Sequence, residues 1–390
     1  MQHYDAIILG AGAAGMMAAK VAGQRGRRVL LIDHADAPGK KVLISGGGRC
    51  NFTNIHSAPD RFISANPHFM KSALARYTAQ DFIDLVDRHG IAWHEKTLGQ
   101  LFCDGSARQI VDMMWGECAA GGVVLWLGHP AEVERAGEGF VIRCSARSAF
   151  APRLVLATGG PSIPKMGATG FAYDLAKSFG LKLIEPRPAL VPLTLAGDEL
   201  LFRDLSGVST QVVAKAARGP AFREAALFTH RGLSGPAILQ VSSYWRNGEA
   251  VTVDFLPGDV PGQLREAKRV DPRQPAYRPL EAYLPSRLAG TLAERIGLAG
   301  PLGELTDRDL DEAEQRLRAW AFTPNGSEGF AKAEVTIGGI STAELSSRSM
   351  EAVNIPGLFI IGEAVDVTGW LGGYNFQWAW TSGVAAGDAL

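Results

Sequence analysis

"YDAIILGAGAAGMMAAKVAGQRGRRVLLIDHA", residues 4–35, decides the fold. Ala6 to Leu9 is a continuous apolar run suited to a strand buried on both faces. Gly10, Gly12 and Gly15 follow as G-x-G-x-x-G, and Ala13 to Gln24 reads as a helix rich in small residues. Arg28 to Ile32 reads as a second strand, and Asp33 ends it, 18 residues after Gly15. Strand, glycine loop, helix, strand and acid, in that order, make a dinucleotide-binding unit. Gly10 serves the tight turn. Gly12 lets the amides of Ala13 and Ala14 approach a pyrophosphate at the positive end of the helix. Gly15 lets helix and strand pack closely, and Asp33 accepts from a ribose hydroxyl. The expected class is therefore α/β, a Rossmann-like domain.

Three later stretches choose the dinucleotide. "RLVLATGG", residues 153–160, is an apolar strand running into Thr158 and Gly159. "GLFIIGEAVD", residues 357–366, is another strand, ending in Gly362 and Glu363. "GWLGGYNFQWAWTSGVAAG" then gives a glycine turn and a helix that starts at Gly373, Tyr374 and Asn375. A late acid suits the ribityl chain of a flavin, and a late helix start suits its pyrimidine edge, where reduced flavin carries negative charge. The pattern is that of a two-dinucleotide-binding-type domain with FAD as resident cofactor. "KKVLISGGGRCNFTN", residues 40–54, has three glycines in a row, which cost conformational entropy and ask for a reason. We read Lys41, Ser45, Gly46, Gly47, Gly48, Arg49, Cys50 and Asn51 as a loop against the flavin, with amides near its polar edge and Lys41 or Arg49 balancing charge.

No second G-x-G-x-x-G occurs, so NAD(P)H has no domain of its own and is expected as a transient reductant at the open flavin face. The four cysteines, Cys50, Cys103, Cys118 and Cys144, show no paired spacing, which excludes a disulfide framework or zinc site and points to a reducing compartment. No metal is expected. No apolar run approaches about 18 residues, so no membrane span is expected. The start of the chain enters a strand directly, without the marks of a secretory signal, and a cytoplasmic location is expected. A net charge of −1 gives no bulk basic excess of the kind nucleic-acid binders show.

The length of 390 residues implies more than one domain. Residues 1–188 and 332–390 are assigned to a discontinuous FAD domain, 189–262 to a β-rich substrate domain and 263–331 to a helical domain. "EPRPALVPLTL" marks the crossover. Ser106 is read as the cap of a helix ending at Gly121, and Trp378 and Trp380 as packing residues of the last helix. In "FTHRGLSGPAILQ", Ser234 is read as a helix cap, and Thr229, His230 and Arg231 as candidate substrate contacts.

"GAGAAG", "PGKKVLISGGGRCNFTN", "FTHRGLSGPAILQ", "AEVTIGGIS" and "GEAVDVTGWLGGYNFQWAW" together resemble the BaiN/RdsA (YhiN-like) bacterial flavoproteins, over essentially the whole chain. That resemblance implies an FAD domain interrupted by a β-barrel-like domain and a small helical domain. It implies NAD(P)H-dependent reduction of an activated C=C bond, and in the YhiN-like branch uridine to dihydrouridine in large-subunit (23S) ribosomal RNA. A related branch resembles aminoacetone oxidases, so an amine oxidase is the alternative activity. A non-catalytic flavin-containing RNA or assembly factor is the alternative without turnover. The partner is thus ribosomal RNA rather than a membrane, with the chain a monomer or homodimer. Reduction of a uracil ring needs a general acid. Candidates are Cys50, Cys103 and His230, with His94 and Tyr374 also weighed. A further expectation is that Lys40, Lys41, Arg49, Arg61, Lys71, Arg76, Arg203, Arg218, Arg223 and Arg231 supply the basic contacts for RNA.

Overall fold

The computed structural model describes residues 1–145, 147–258 and 261–390, apart from the side chains of residues 200, 201 and 203. The chain forms two units, Met1–Arg187 with Val335–Leu390, and Pro188–Glu334.

In the first unit a five-stranded parallel sheet runs Leu358–Ile360, Arg153–Leu156, Ala6–Leu9, Val29–Ile32, Val124–Trp126. The first two strands of the fingerprint are buried along their whole length, which is why they read as unbroken apolar runs. Helix Ala13–Gln24 covers this sheet beside the last helix, Tyr374–Ala389. Small residues let the two helices approach. A Cβ on Gly383 would lie 2.7 Å from the Ala14 carbonyl oxygen, and one on Gly387 2.6 Å from the Val21 Cβ. Helix Ala107–Ala120 starts at Ser106 with a reciprocal Ser106–Gln109 capping box and ends at Gly121, as read from the sequence.

Smaller sheets pack around the parallel one. Glu132–Ala136, Gly139–Cys144 and Arg147–Ala151 form an antiparallel meander that leads into Arg153–Leu156. Asn51–Asn54, Gln100–Cys103 and Trp93–Glu95 form a three-stranded antiparallel sheet.

The second unit carries a seven-stranded antiparallel sheet, in the order Trp320–Phe322, Val251–Asp254, Ser209–Ala216, Phe222–Thr229, Gly232–Ser234, Leu193–Thr194, Gly326–Ser327. Phe202, Phe228, Phe255 and Phe322 pack on one another within it. Helices Gln263–Val270, Ser286–Ile296 and Asp307–Arg318 lie in the chain between Val251–Asp254 and Trp320–Phe322. The interval 263–331 therefore supplies two strands of the sheet as well as helices.

Candidate functional site

The fingerprint residues meet at the C-terminal ends of the parallel strands. Gly10 has φ +105°, and a Cβ there would lie 2.4 Å from the Ala157 carbonyl oxygen. A Cβ on Gly15 would collide with Gly10 itself. Gly12 differs from both: it begins the helix at φ −82°, no side chain caps that helix, and a Cβ on Gly12 would meet nothing within 4 Å. The space beside Gly12 at the helix start is thus open, as a pyrophosphate bound there requires. Asp33 stands at the end of the second strand. Its Oδ2 accepts from the Ala11 amide at 2.6 Å and its Oδ1 from the Ala35 amide at 2.8 Å, so the carboxylate is fixed in place. This set fits a dinucleotide.

The loop with three glycines has a conformational reason that the sequence reading did not supply. Gly46, Gly47 and Gly48 have φ of +57°, +65° and +85°, a left-handed path open to few other residues. Only Gly46 is also crowded, since a Cβ there would lie 2.8 Å from the Asn51 amide nitrogen and from the Phe102 ring. Beyond Gly47 and Gly48 there is open space. Ser45 is spent on the turn, its hydroxyl donating to the Val42 carbonyl at 2.7 Å, and Arg49 is exposed. Asn51 packs between Gln100, 3.2 Å away, and Gly373, where a Cβ would lie 2.9 Å from the Asn51 Oδ1.

A second polar centre gathers around Glu363. Its Oε2 accepts from Lys41 Nζ at 2.6 Å, and its Oε1 accepts from Ser162 Oγ at 2.7 Å and from the Thr336 amide at 2.8 Å. Lys41, assigned to phosphate or reduced flavin from the sequence, thus has its charge balanced by Glu363. The Thr158–Gly159 turn borders the same acid, with a Gly159 Cβ 3.8 Å from Oε2. Gly362 abuts Ala14, where a Cβ would lie 2.9 Å from the Ala14 Cβ, which places Glu363 beside the start of the first helix. Ser162 and Thr336 were not legible as site residues. Ser162 sits in an aperiodic turn, and Thr336 acts through its backbone.

The last helix starts at Gly373 with no side-chain cap. The Asn375 side chain ties down its own loop: Oδ1 accepts from the Gly369 amide and Nδ2 donates to the Gly369 carbonyl, both at 2.8 Å. Tyr374 is buried and packs edge-on against Phe62 and Trp370. Trp378 and Trp380 are packing residues as read. They are buried, with indole N–H groups donating to the Gly362 and Phe52 carbonyls at 3.0 and 2.8 Å.

Among the candidate acids, Cys50 and Cys103 come together where the Cys103 amide donates to the Arg49 carbonyl at 2.9 Å. Both side chains are fully buried, and Cys50 has φ +49°. Burial pushes the Cys103 thiol up to about 11 and that of Cys50 higher still, so both are neutral at physiological pH. His94 is a surface residue, 2.6 Å from Asp104 and stacked on Phe102. His230 is exposed in the second unit, on the turn between two strands.

Thr229, read as a substrate contact, has a structural task there, its hydroxyl accepting from the Arg231 and Gly232 amides at 3.2 and 3.1 Å. Gly235 rather than Ser234 caps the helix Pro236–Ser242. Many of the cations expected to meet RNA are engaged within their own unit: Lys40 with Asp36, Arg61 over the Trp370 ring, Arg76 with the Arg348 carbonyl, Arg218 with Glu249, Arg223 with the Pro257 carbonyl and Arg231 with Glu328. The Arg203 side chain lies outside the described residues. Among the described residues no helix is long and apolar enough to cross a membrane, and no group of three or more His, Cys, Asp or Glu is placed to hold a metal.

The model of the HI0933-like protein Rossmann domain matches residues 4–389. The ribosomal RNA dihydrouridine synthase of Escherichia coli K12 is 51% identical over 100% of this chain and 98% of its own. The protein of the same name from Haemophilus influenzae is 44% identical over 98% of each. Among solved structures, 3-ketosteroid-delta4-(5alpha)-dehydrogenase from Rhodococcus jostii RHA1, in complex with 4-androstene-3,17-dione, superposes with a TM-score of 0.51 at 14% identity, covering 99% of this chain and 97% of that one. That likeness is one of fold. With its glycine fingerprint and its whole length matched, the chain belongs to the HI0933-like Rossmann family, the BaiN/RdsA group its motifs resemble.

Proposed function

We propose that this chain is an FAD-dependent oxidoreductase that draws on NAD(P)H and saturates an activated C=C bond, with uridine in 23S ribosomal RNA as acceptor and dihydrouridine as product. The observation that carries the flavin reading is the open, uncapped helix start at Gly12, placed in one unit with the fixed Asp33 and with Glu363. The RNA acceptor is supported by a relative 51% identical over the whole chain that bears that name.

When bound, FAD supplies hydride transfer. The chain's own residues do the rest. The amides of Gly12, Ala13 and Ala14 take the pyrophosphate and Asp33 the adenosine ribose. Glu363 accepts from ribityl hydroxyls. The amides of Gly373, Tyr374 and Asn375 bring the positive end of the last helix to developing negative charge, with Gly46 to Asn51 alongside. A proton for the reduced ring comes from the neutral Cys50 thiol, with Cys103 or His230 as the alternative donor. Residues 1–188 and 332–390 serve as the FAD domain, 189–262 receive the substrate, and 263–331 form a helical module that also lends two strands to the antiparallel sheet. The chain works in the cytoplasm as a monomer or homodimer.

The test is mass spectrometry of ribosomal RNA nucleosides from a deletion strain. Dihydrouridine is expected to disappear and to return with the plasmid-borne gene. Unchanged content in a parent that contains it removes the RNA acceptor. Under anaerobic conditions NAD(P)H should bleach the purified yellow protein, whereas bleaching by an amine alone supports an oxidase. A Cys50→Ala enzyme should keep FAD and its reduction by NAD(P)H but fail to restore the modification. Full restoration moves the donor role to Cys103 or His230.

A further inference from the structure

Ser162 is 0% exposed, yet its hydroxyl has two polar partners. Oγ accepts from Lys41 Nζ at 2.7 Å and donates to Glu363 Oε1 at 2.7 Å. Lys41 also reaches the other oxygen of that carboxylate at 2.6 Å, and the Thr336 amide takes the remaining direction on Oε1 at 2.8 Å. Donors from three separate chain segments thereby set the plane of one carboxylate. The neighbouring backbone is unusual. Ile163 has φ +58°, an outlier for a β-branched residue, and such backbone persists only where its surroundings over-determine it. The turn then runs to Gly167, where a Cβ would lie 2.7 Å from His34 Nε2, next to Asp33 in the chain. One short segment therefore touches both acids of the dinucleotide site, directly at Glu363 and through a sequence neighbour at Asp33.

We propose that Ser162 is a positioning residue for the dinucleotide, acting through Glu363 and Lys41. It locks the carboxylate in the orientation that accepts from a polyol, and it keeps the Lys41 ammonium off the cofactor. The inference rests on the FAD reading above. Removing the hydroxyl, which leaves the Cβ as a methyl group, strips both charged partners of their shared neighbour, and hydrogen bonds to charged groups are among the stronger ones.

The experiment titrates FAD into the apoproteins of wild type, Ser162→Ala, Ser162→Thr, Lys41→Met and the Ser162→Ala/Lys41→Met double variant. Flavin fluorescence gives the dissociation constant and circular dichroism the fold. Ser162→Ala should remain folded and bind FAD about 10- to 100-fold more weakly. Ser162→Thr, which keeps the hydroxyl, should bind close to wild type. The double variant should lose less than the sum of the two single losses, because both act through one carboxylate. A folded Ser162→Ala protein with wild-type affinity overturns the proposal, as do strictly additive losses. Should Ser162→Ala fail to fold, Lys41→Met with wild-type affinity overturns it, and a weakened Lys41→Met beside an unimpaired Ser162→Thr upholds it. Wild type that binds no FAD would instead remove the underlying flavin reading.

Discussion

Gly15 packs so closely on Gly10 that a Cβ at residue 15 would lie 1.8 Å from the Gly10 carbonyl oxygen. A Cβ on Gly12, between them, would meet nothing within 4 Å beyond its own stretch of chain. The same glycine motif thus divides into a packing part and a binding part. Gly15→Ala should push the first helix off its strand and destabilise the protein by about 1–3 kcal/mol or more. Gly12→Val should leave the apoprotein's melting temperature near wild type and abolish FAD binding. Thermal unfolding of the apoproteins with FAD titration separates the two. A Gly12→Val protein that holds FAD normally would show that the pyrophosphate lies elsewhere.

Trp380 donates its indole N–H to the Phe52 carbonyl and stacks on Phe82 with ring centroids 4.3 Å apart. Trp380→Phe keeps an aromatic ring but leaves a buried carbonyl without its donor. The expected loss is about 1–3 kcal/mol in urea unfolding. An unchanged midpoint would show that the carbonyl has another donor.

Asn375 holds Gly369 from both sides. Asn375→Asp keeps the acceptor and removes the donor. It should lower stability by about 1–3 kcal/mol in urea unfolding of the apoprotein, where no flavin is present. If stability is unchanged and only FAD affinity falls, the side chain belongs to the cofactor instead.

The buried thiols give the fold a limit on the alkaline side. Burial raises the Cys103 thiol from about 9 to about 11, and Cys118 to about 12. The unfolded chain therefore releases protons first as pH rises, and stability present below about pH 9 is lost on the way to about pH 11. Each thiol contributes a slope of up to about 1.4 kcal/mol per pH unit in that window. Urea midpoints measured at pH 8, 9 and 10 should fall progressively, and Cys103→Ala should make the decline shallower. A flat profile would mean that the thiols ionise in the fold as readily as in the unfolded chain.

What was legible in the sequence was whatever leaves a local mark. The fingerprint shows because each of its glycines sits at a fixed offset from an apolar strand, and Ser106 shows because a cap precedes its own helix. Ser162 and Thr336 leave no such mark. Their value lies in meeting Glu363 across the fold, and a backbone amide donates whatever side chain it carries. The Asn375 contacts are hidden for a related reason: only the fold sets Gly369 against that side chain. Short strands hide as well. Gly326–Ser327 spans two residues, too few for any alternation to appear, and it joins the sheet only through pairing with Leu193–Thr194.

The pairing of the first helix with the last one makes the nucleotide cradle discontinuous along the chain. Residues 10–33 supply one wall. Glu363 and the helix after Gly373 supply the other, and the second unit lies between the two in sequence. Only tertiary packing brings those walls together, chiefly that of helix Ala13–Gln24 on helix Tyr374–Ala389. A substitution that loosens this helix pair would therefore open the cradle without altering a residue that lines it.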